Sequence, residues 1–136
     1  MKNTGLPISP DCSKEVKALV GIPYTTMNCW DLVRVFYLNV FNIELKHYFE
    51  DMPKEAKGKQ DLIYSAYGDF VQIPPGKLEF GDLISFKIRG LETHIGVFLE
   101  RGNFLHSSQR VGSCIDKLSR WNHFVSGCHR LEKGKQ

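Results

Sequence analysis

Three residues of this chain have the types and positions to do chemistry together: Cys29, His94 and His106. A thiol acts as a nucleophile in its thiolate form. Cys29 stands at the start of the apolar run NCWDLVRVFYLNVF, with Asn28 before it as a helix cap. The unpaired N–H groups and the dipole of a helix start favour an anion at that point. A thiolate still needs a base or ion-pair partner, usually a histidine on a rigid strand that is held in turn by a third polar group. His94 and His106 fit those two roles, in neighbouring strand-like segments. If the turn between them centres near Glu100, they stand opposite each other on one face. A two-residue turn at Arg101-Gly102 would put them on opposite faces, so the reading requires a longer or bulged loop there.

The elements that must position these residues follow from the spacing of apolar side chains. A short helix is expected from Ser13 to about Val20, capped by Ser13 and stopped by Gly21 with Pro23. From Asn28 to Phe41 apolar residues cover most of a helical circumference, the pattern of a central buried helix, and Asp31, Arg34 and Asn39 mark its thin polar face. Residues 44 to 77 are mixed and lysine-rich, with a helix expected from Pro53 toward Tyr67 and a break at Pro74-Pro75-Gly76. The period then changes. Leu83 to Ile88, Thr93 to Leu99, Phe104 to Ser108 and Val125 to Leu131 read as strands, with turns at Arg89-Gly90 and Arg101-Gly102-Asn103. Helices first and short antiparallel strands second predict an α+β domain with its helices on one face of a sheet.

The length of 136 residues predicts a single domain over 1–136, with a lead segment at 1–12 and a frayed tail at 132–136. A composition of 42% hydrophobic and 24% charged residues excludes global disorder, and a core of this size needs neither metal nor disulfide as a staple. The net charge of +3 comes without clustered arginines, so no nucleic-acid partner is expected. No apolar run is long enough for membrane insertion or a signal peptide, which predicts synthesis in a cytoplasm and free thiols at Cys12, Cys29, Cys114 and Cys128. These cysteines lack the close pairs that structural zinc sites favour, which makes a structural zinc reading weak, while five histidines leave it open. Cys12, Cys114 and Cys128, like His47, His123 and His129, read as structural residues, and Trp121 as core or interface. Ser107-Ser108 lacks the Gly-x-Ser-x-Gly elbow of a serine nucleophile.

Six short words occur in order: GIPY at 21 to 24, NCWDLVR at 28 to 34, GDLISF at 81 to 86, HIGVFL at 94 to 99, FLH at 104 to 106 and CHRL at 128 to 131. Together they resemble the NlpC-type, papain-like cysteine peptidases, particularly the branch found in tail-tip assembly proteins of tailed bacteriophages. The resemblance covers about residues 19 to 131. It implies a papain-like fold, with Cys29 as nucleophile and His94 as the partner that activates it and later protonates the leaving amine. His106 would be the orienting third residue, and Tyr24 the tyrosine whose hydroxyl lies beside the nucleophile. Backbone N–H groups at the helix start, that of Cys29 included, would form the oxyanion hole. The implied substrate is the peptide stem of bacterial peptidoglycan, commonly cut between γ-D-glutamate and a diamino acid, with no metal or cofactor. Phage tail-tip proteins would be its partners, and it would pass from the host cytoplasm into the virion tail.

The chain departs from the family pattern in three places. Asn28 stands for the usual Asp, Asp31 for a small residue two positions after the cysteine, and the Trp-Gly-Gly stretch that often follows Pro-Tyr is missing. Asp31 opposes thiolate formation if it points at the sulfur, and merely complements the helix dipole if it faces solvent. A loop this much shorter than the family's would either reshape the substrate pocket or remove part of it. A reading from another class is an assembly module that keeps the scaffold, docks tail-tip partners and does little catalysis.

Overall fold

The computed structural model describes residues 13–45 and 70–132, and within them helices come first and strands after. The lead segment with Cys12, and the helix expected from Pro53, lie outside the described residues. Ser13 opens α1 (Ser13–Ala18), and the chain leaves it through Gly21 at a φ of 89°. The second helix, α2 (Cys29–Phe36), turns Cys29, Trp30, Leu32, Val33 and Phe36 inward. Its first turn is capped as the sequence suggests, with the Asn28 side-chain oxygen accepting the Asp31 N–H at 2.9 Å. The run to Phe41 is not one regular helix. Tyr37–Phe41 winds as a wider π-helical turn and stops at Asn42, which takes a left-handed conformation that Asn tolerates. That turn sets Tyr37 and Phe41 edge to face at 5.2 Å, both against Phe36, and lets the Tyr37 hydroxyl donate to the Gly81 carbonyl. Among the described residues no helix is long and apolar enough to cross a membrane.

Among the described residues six strands form one antiparallel sheet: β1 (Phe70–Ile73), β2 (Leu83–Ile88), β3 (Leu91–Phe98), β4 (Asn103–Ser108), β5 (Gly112–Lys117) and β6 (Val125–Leu131). Their order across the sheet is β1-β6-β2-β3-β4-β5. The four expected strands are present, and β1 and β5 are additional. Both are edge strands, which need no alternating apolar face. FVQI is short and runs into two prolines, and GSCIDK is dominated by small and polar residues. The α+β architecture, with helices packed on an antiparallel sheet, is therefore the expected one.

The sheet has two covered faces. On one, α2 packs Leu32, Val33 and Phe36 against Leu83, Ile95, Val97 and Leu105. On the other, Ile84, Phe86 and Phe104 meet Trp121 from the 3-10 helix Leu118–Phe124. Two of the sequence words join here. Asp82 of GDL, 3% exposed, receives two hydrogen bonds from Arg130 of CHRL at 2.9 and 2.8 Å, and accepts the Glu79 N–H at 2.7 Å. A buried carboxylate without such donors would be strongly destabilising.

The β3–β4 loop decides which face its flanking residues occupy. The Asn103 N–H bonds the Glu100 carbonyl across Arg101 and Gly102, both at positive φ, while the Leu99 N–H bonds the Asn103 carbonyl. Leu99 and Glu100 thus stand against one residue, a bulge added to a two-residue turn. The ladder pairs Gly96 with His106 rather than His94 with His106. Relative to a turn centred at Glu100 the register moves by two residues, which preserves the face and makes the two histidines diagonal neighbours instead of direct opposites.

The free edge of β5 holds the loop before α2. Ser113 accepts the Ile22 N–H at its hydroxyl and the Gly21 N–H at its carbonyl, both at 2.8 Å, and donates its own N–H to Ile22 at 2.9 Å. Gly112 permits this approach, since it sits at a φ of 85° and a Cβ there would lie 2.5 Å from the Ile22 carbonyl oxygen. Gly112→Ala should therefore lower unfolding stability by about 2–3 kcal/mol, whereas Gly76→Ala, which meets open space, should change it by less than about 0.5 kcal/mol. Urea denaturation of both variants checks this, and equal effects would contradict the assigned contact.

Candidate active site

Register places His94, His106 and Asp116 on one sheet face, because Phe86 is opposite His94, Gly96 opposite His106 and Phe104 opposite Asp116. Their side chains form a chain across three strands. His94 Nε2 lies 2.7 Å from His106 Nδ1, and His106 Nε2 lies 2.8 Å from Asp116 Oδ2. Aromatic rings wall in the pair: Trp121 stacks on His94 at 5.7 Å and meets His106 edge-on at 5.0 Å, and Phe104 stacks on His106 at 4.5 Å.

The carboxylate sets the direction of every bond in this chain. An ionised carboxylate only accepts, so His106 Nε2 carries a hydrogen and donates it to Asp116. Burial pushes His106 below its ordinary pKa, and the Asp116 bond and charge only partly oppose that, so its ring stays neutral near pH 7. Neutral His106 then has a lone pair at Nδ1, and the group that lies 2.7 Å from it is His94 Nε2, which must therefore carry the hydrogen. When the His94 ring is neutral, that hydrogen on Nε2 puts the lone pair a general base requires on Nδ1.

On the sulfur side, Cys29 is the first residue of α2 and is 1% exposed. The Tyr24 hydroxyl hydrogen-bonds both Cys29 and Gln109, and burial first, then the nearby Cys29, holds the phenol protonated far above its usual range. It therefore acts as a donor toward sulfur. The Ser107 hydroxyl donates to the Met27 carbonyl at 2.8 Å, which ties the residue two before Cys29 to the strand residue after His106. The structure thus joins Tyr24 to Cys29, and His94 to His106, and draws the two pairs to the same end of β4.

Asp31 sits on the solvent side of α2, a third exposed, with the Arg34 guanidinium 3.9 Å away. Its charge is the smallest of the influences on Tyr24. The other described thiols are held up as thiols: Cys114 by burial and then the Asp116 charge and hydrogen bond, Cys128 by burial and then the Asp82 charge. Sequence reasoning overlooked Asp116 and Gln109 and took Trp121 as core or interface. Asp116 lies in an edge strand with no apolar alternation, and only the register of β5 reveals what it faces. The sole signal was an acid near the end of a polar segment following FLHSS.

The profile of the NlpC/P60 family matches residues 17–127. An NlpC/P60 family protein from Bacillus cereus has a similar structure, with a TM-score of 0.65 and 19% identity over 93% of this chain and 41% of that one. The NlpC/p60 domain of the peptidoglycan hydrolase SagA gives 0.60 and 14% over 95% of this chain and 100% of that domain. The peptidoglycan hydrolase RipB from Mycobacterium tuberculosis gives 0.62 and 16% over 89% and 63%. The chain thus spans less than half of the Bacillus structure, and at these identities the likeness is one of fold. No curated protein sequence matches the chain.

Two outcomes follow from the bond directions. Asp116→Asn offers His106 a donor as well as an acceptor and so frees the chain to reverse. The alkylation rate of Cys29 by iodoacetamide at pH 7 should fall roughly tenfold or more, with the circular dichroism unchanged; an unaltered rate would contradict the directional role. The second outcome concerns pH. With His106 depressed in the native state, the unfolded chain binds more protons just below the ordinary value of 6.5, so stability rises with pH in that window and is lost as pH falls. The thermal midpoint should drop as pH is lowered below about 6.5, and His106→Asn should flatten that part of the curve.

Proposed function

The chain belongs to the NlpC/P60 family, and from that membership we propose that it is a cysteine peptidase cleaving the peptide stems of bacterial peptidoglycan. The observation that carries this reading is the Asp116–His106–His94 chain, which presents a base at the end of β4 to which Cys29 is also drawn. The described relatives SagA and RipB, both peptidoglycan hydrolases, support the substrate class through their shared fold.

In the proposed reaction the Cys29 thiol passes its proton to His94 Nδ1. The His94 imidazolium keeps its Nε2–H on His106, and Asp116 stabilises the positive charge through that ring. Sulfur attacks the stem carbonyl, and the electron pair moves to oxygen, where backbone N–H groups at the start of α2 receive it. His94 then gives its proton to the leaving amine, and the C–N bond breaks. Water, deprotonated by His94, attacks the thioester and releases the acid, restoring the thiol. Tyr24 holds the sulfur in place before attack, and Asp31, on the solvent side of α2 beside Arg34, complements the helix dipole.

The proposal extends to the scissile bond, between γ-D-glutamate and the diamino acid, and to the setting. The ordered words from GIPY to CHRL support placement in the tail-tip branch, as one catalytic domain over 1–136 that works in tail assembly or cell-wall penetration. It would be made in a host cytoplasm, dock tail-tip proteins and travel in the virion tail. Incubation with purified peptidoglycan should release stem fragments detectable by mass spectrometry, and Cys29→Ala and His94→Ala should each reduce release by about a thousandfold or more. Unchanged release by both variants would overturn the catalytic assignment.

A further inference from the structure

We propose that His106 Nε2, Cys114 Sγ and Asp116 Oδ2 form a binding site for a divalent cation of the zinc class, and that an ion bound there switches off the thiol chemistry. The second half rests on the peptidase reading, and the first does not. The three atoms lie within 4.8 Å of one another. Their separations are 2.8 Å from nitrogen to oxygen, 3.6 Å from sulfur to nitrogen and 3.8 Å from sulfur to oxygen. Ligands at zinc bond lengths of about 2.0–2.3 Å in a tetrahedron stand roughly 3.3–3.6 Å apart, so the triangle already has the size that such an ion needs. The nitrogen–oxygen edge must open by about half an ångström as the ion replaces the shared hydrogen, and the sulfur–oxygen edge must close by about 0.2 Å.

The backbone makes this triangle rigid. His106 and Cys114 are direct partners in the β4–β5 ladder, and Asp116 is two residues further along β5 on the same face. Imidazole, thiolate and carboxylate together are a donor set that suits zinc. His106 is the inner ligand, while Cys114 and Asp116 are partly exposed, so the fourth position opens toward water. Cys114 donates to Asp116 Oδ2 at 3.8 Å from outside the line of bonds that links Asp116, His106 and His94.

An ion on this site reverses the polarity of the chain. It takes the lone pair of His106 Nε2, so the hydrogen of the neutral ring moves to Nδ1. His106 Nδ1–H then donates to His94 Nε2, and the His94 hydrogen moves to its Nδ1. The histidines gain and lose no net proton; the one proton released to solvent comes from the Cys114 thiol. His94 now presents a hydrogen where the thiol requires a lone pair.

Cobalt(II) added to the full chain carrying Cys29→Ala should give a sulfur-to-metal charge-transfer band, which Cys114→Ser in the same background removes. Zinc titrated by calorimetry should bind the Cys29→Ala protein at one ion per chain, and Cys114→Ser should weaken that binding roughly tenfold to a hundredfold. In chains that keep Cys29, zinc should slow its alkylation at fixed pH by at least about tenfold relative to the same protein free of metal, and in Cys114→Ser the ratio of the rates without and with zinc should return to about one. A cobalt spectrum indifferent to Cys114 overturns the site. Equal zinc inhibition with and without Cys114 overturns the switch, because the ion then acts at Cys29 itself. An unreactive Cys29 in metal-free protein would count against the peptidase reading, and the cobalt band would still decide the site.

Discussion

The hydrogen bond from His106 to Asp116 is the interaction on which the rest of the site depends, because charge fixes its direction. Histidine nitrogens exchange donor and acceptor roles by moving one hydrogen, so the 2.7 Å contact between His94 and His106 has no inherent sense. A carboxylate removes that freedom. Once Asp116 accepts, each later bond follows, and the lone pair emerges at the far end of His94. The same logic makes the site sensitive to anything that competes for His106 Nε2.

Charge is distributed along this chain in a way that limits its energetic cost. The formal charge rests on Asp116, whose side chain is 31% exposed, while His106 at the dry centre is neutral and uses both ring nitrogens. A fully buried, satisfied and uncharged ring avoids the desolvation penalty of a buried ion, and Phe104 and Trp121 can then pack directly on it. The sheet solves the opposite problem at Asp82, where a carboxylate at 3% exposure is retained by placing Arg130 against it. One acid stays near water to direct bonds, and the other is buried to join β2 to β6.

Much of this was legible in the sequence, for physical reasons that differ by element. The capped start of α2 and the four inner strands announce themselves because their burial imposes a period on apolar residues. Cys29, His94 and His106 stood out by type and by their neighbouring words. The diagonal pairing of the histidines was not legible, since it turns on a single bulged residue at Leu99-Glu100, and neither residue advertises a bulge. Asp116 and Cys114 were hidden in an edge strand whose polar pattern resembles a loop, and the π-helical turn at Tyr37–Phe41 resembles any apolar helix until its aromatic partners are seen. Side chains whose roles come from register across strands leave little trace in local sequence.

The direction of the hydrogen-bond chain is most directly tested by the nitrogen chemical shifts of the two imidazoles in 15N-labelled protein, free of metal and at neutral pH. The account predicts that both His94 and His106 carry their hydrogen on Nε2, with Nδ1 of each shifted as an unprotonated nitrogen. A hydrogen found on Nδ1 of His94 would contradict it.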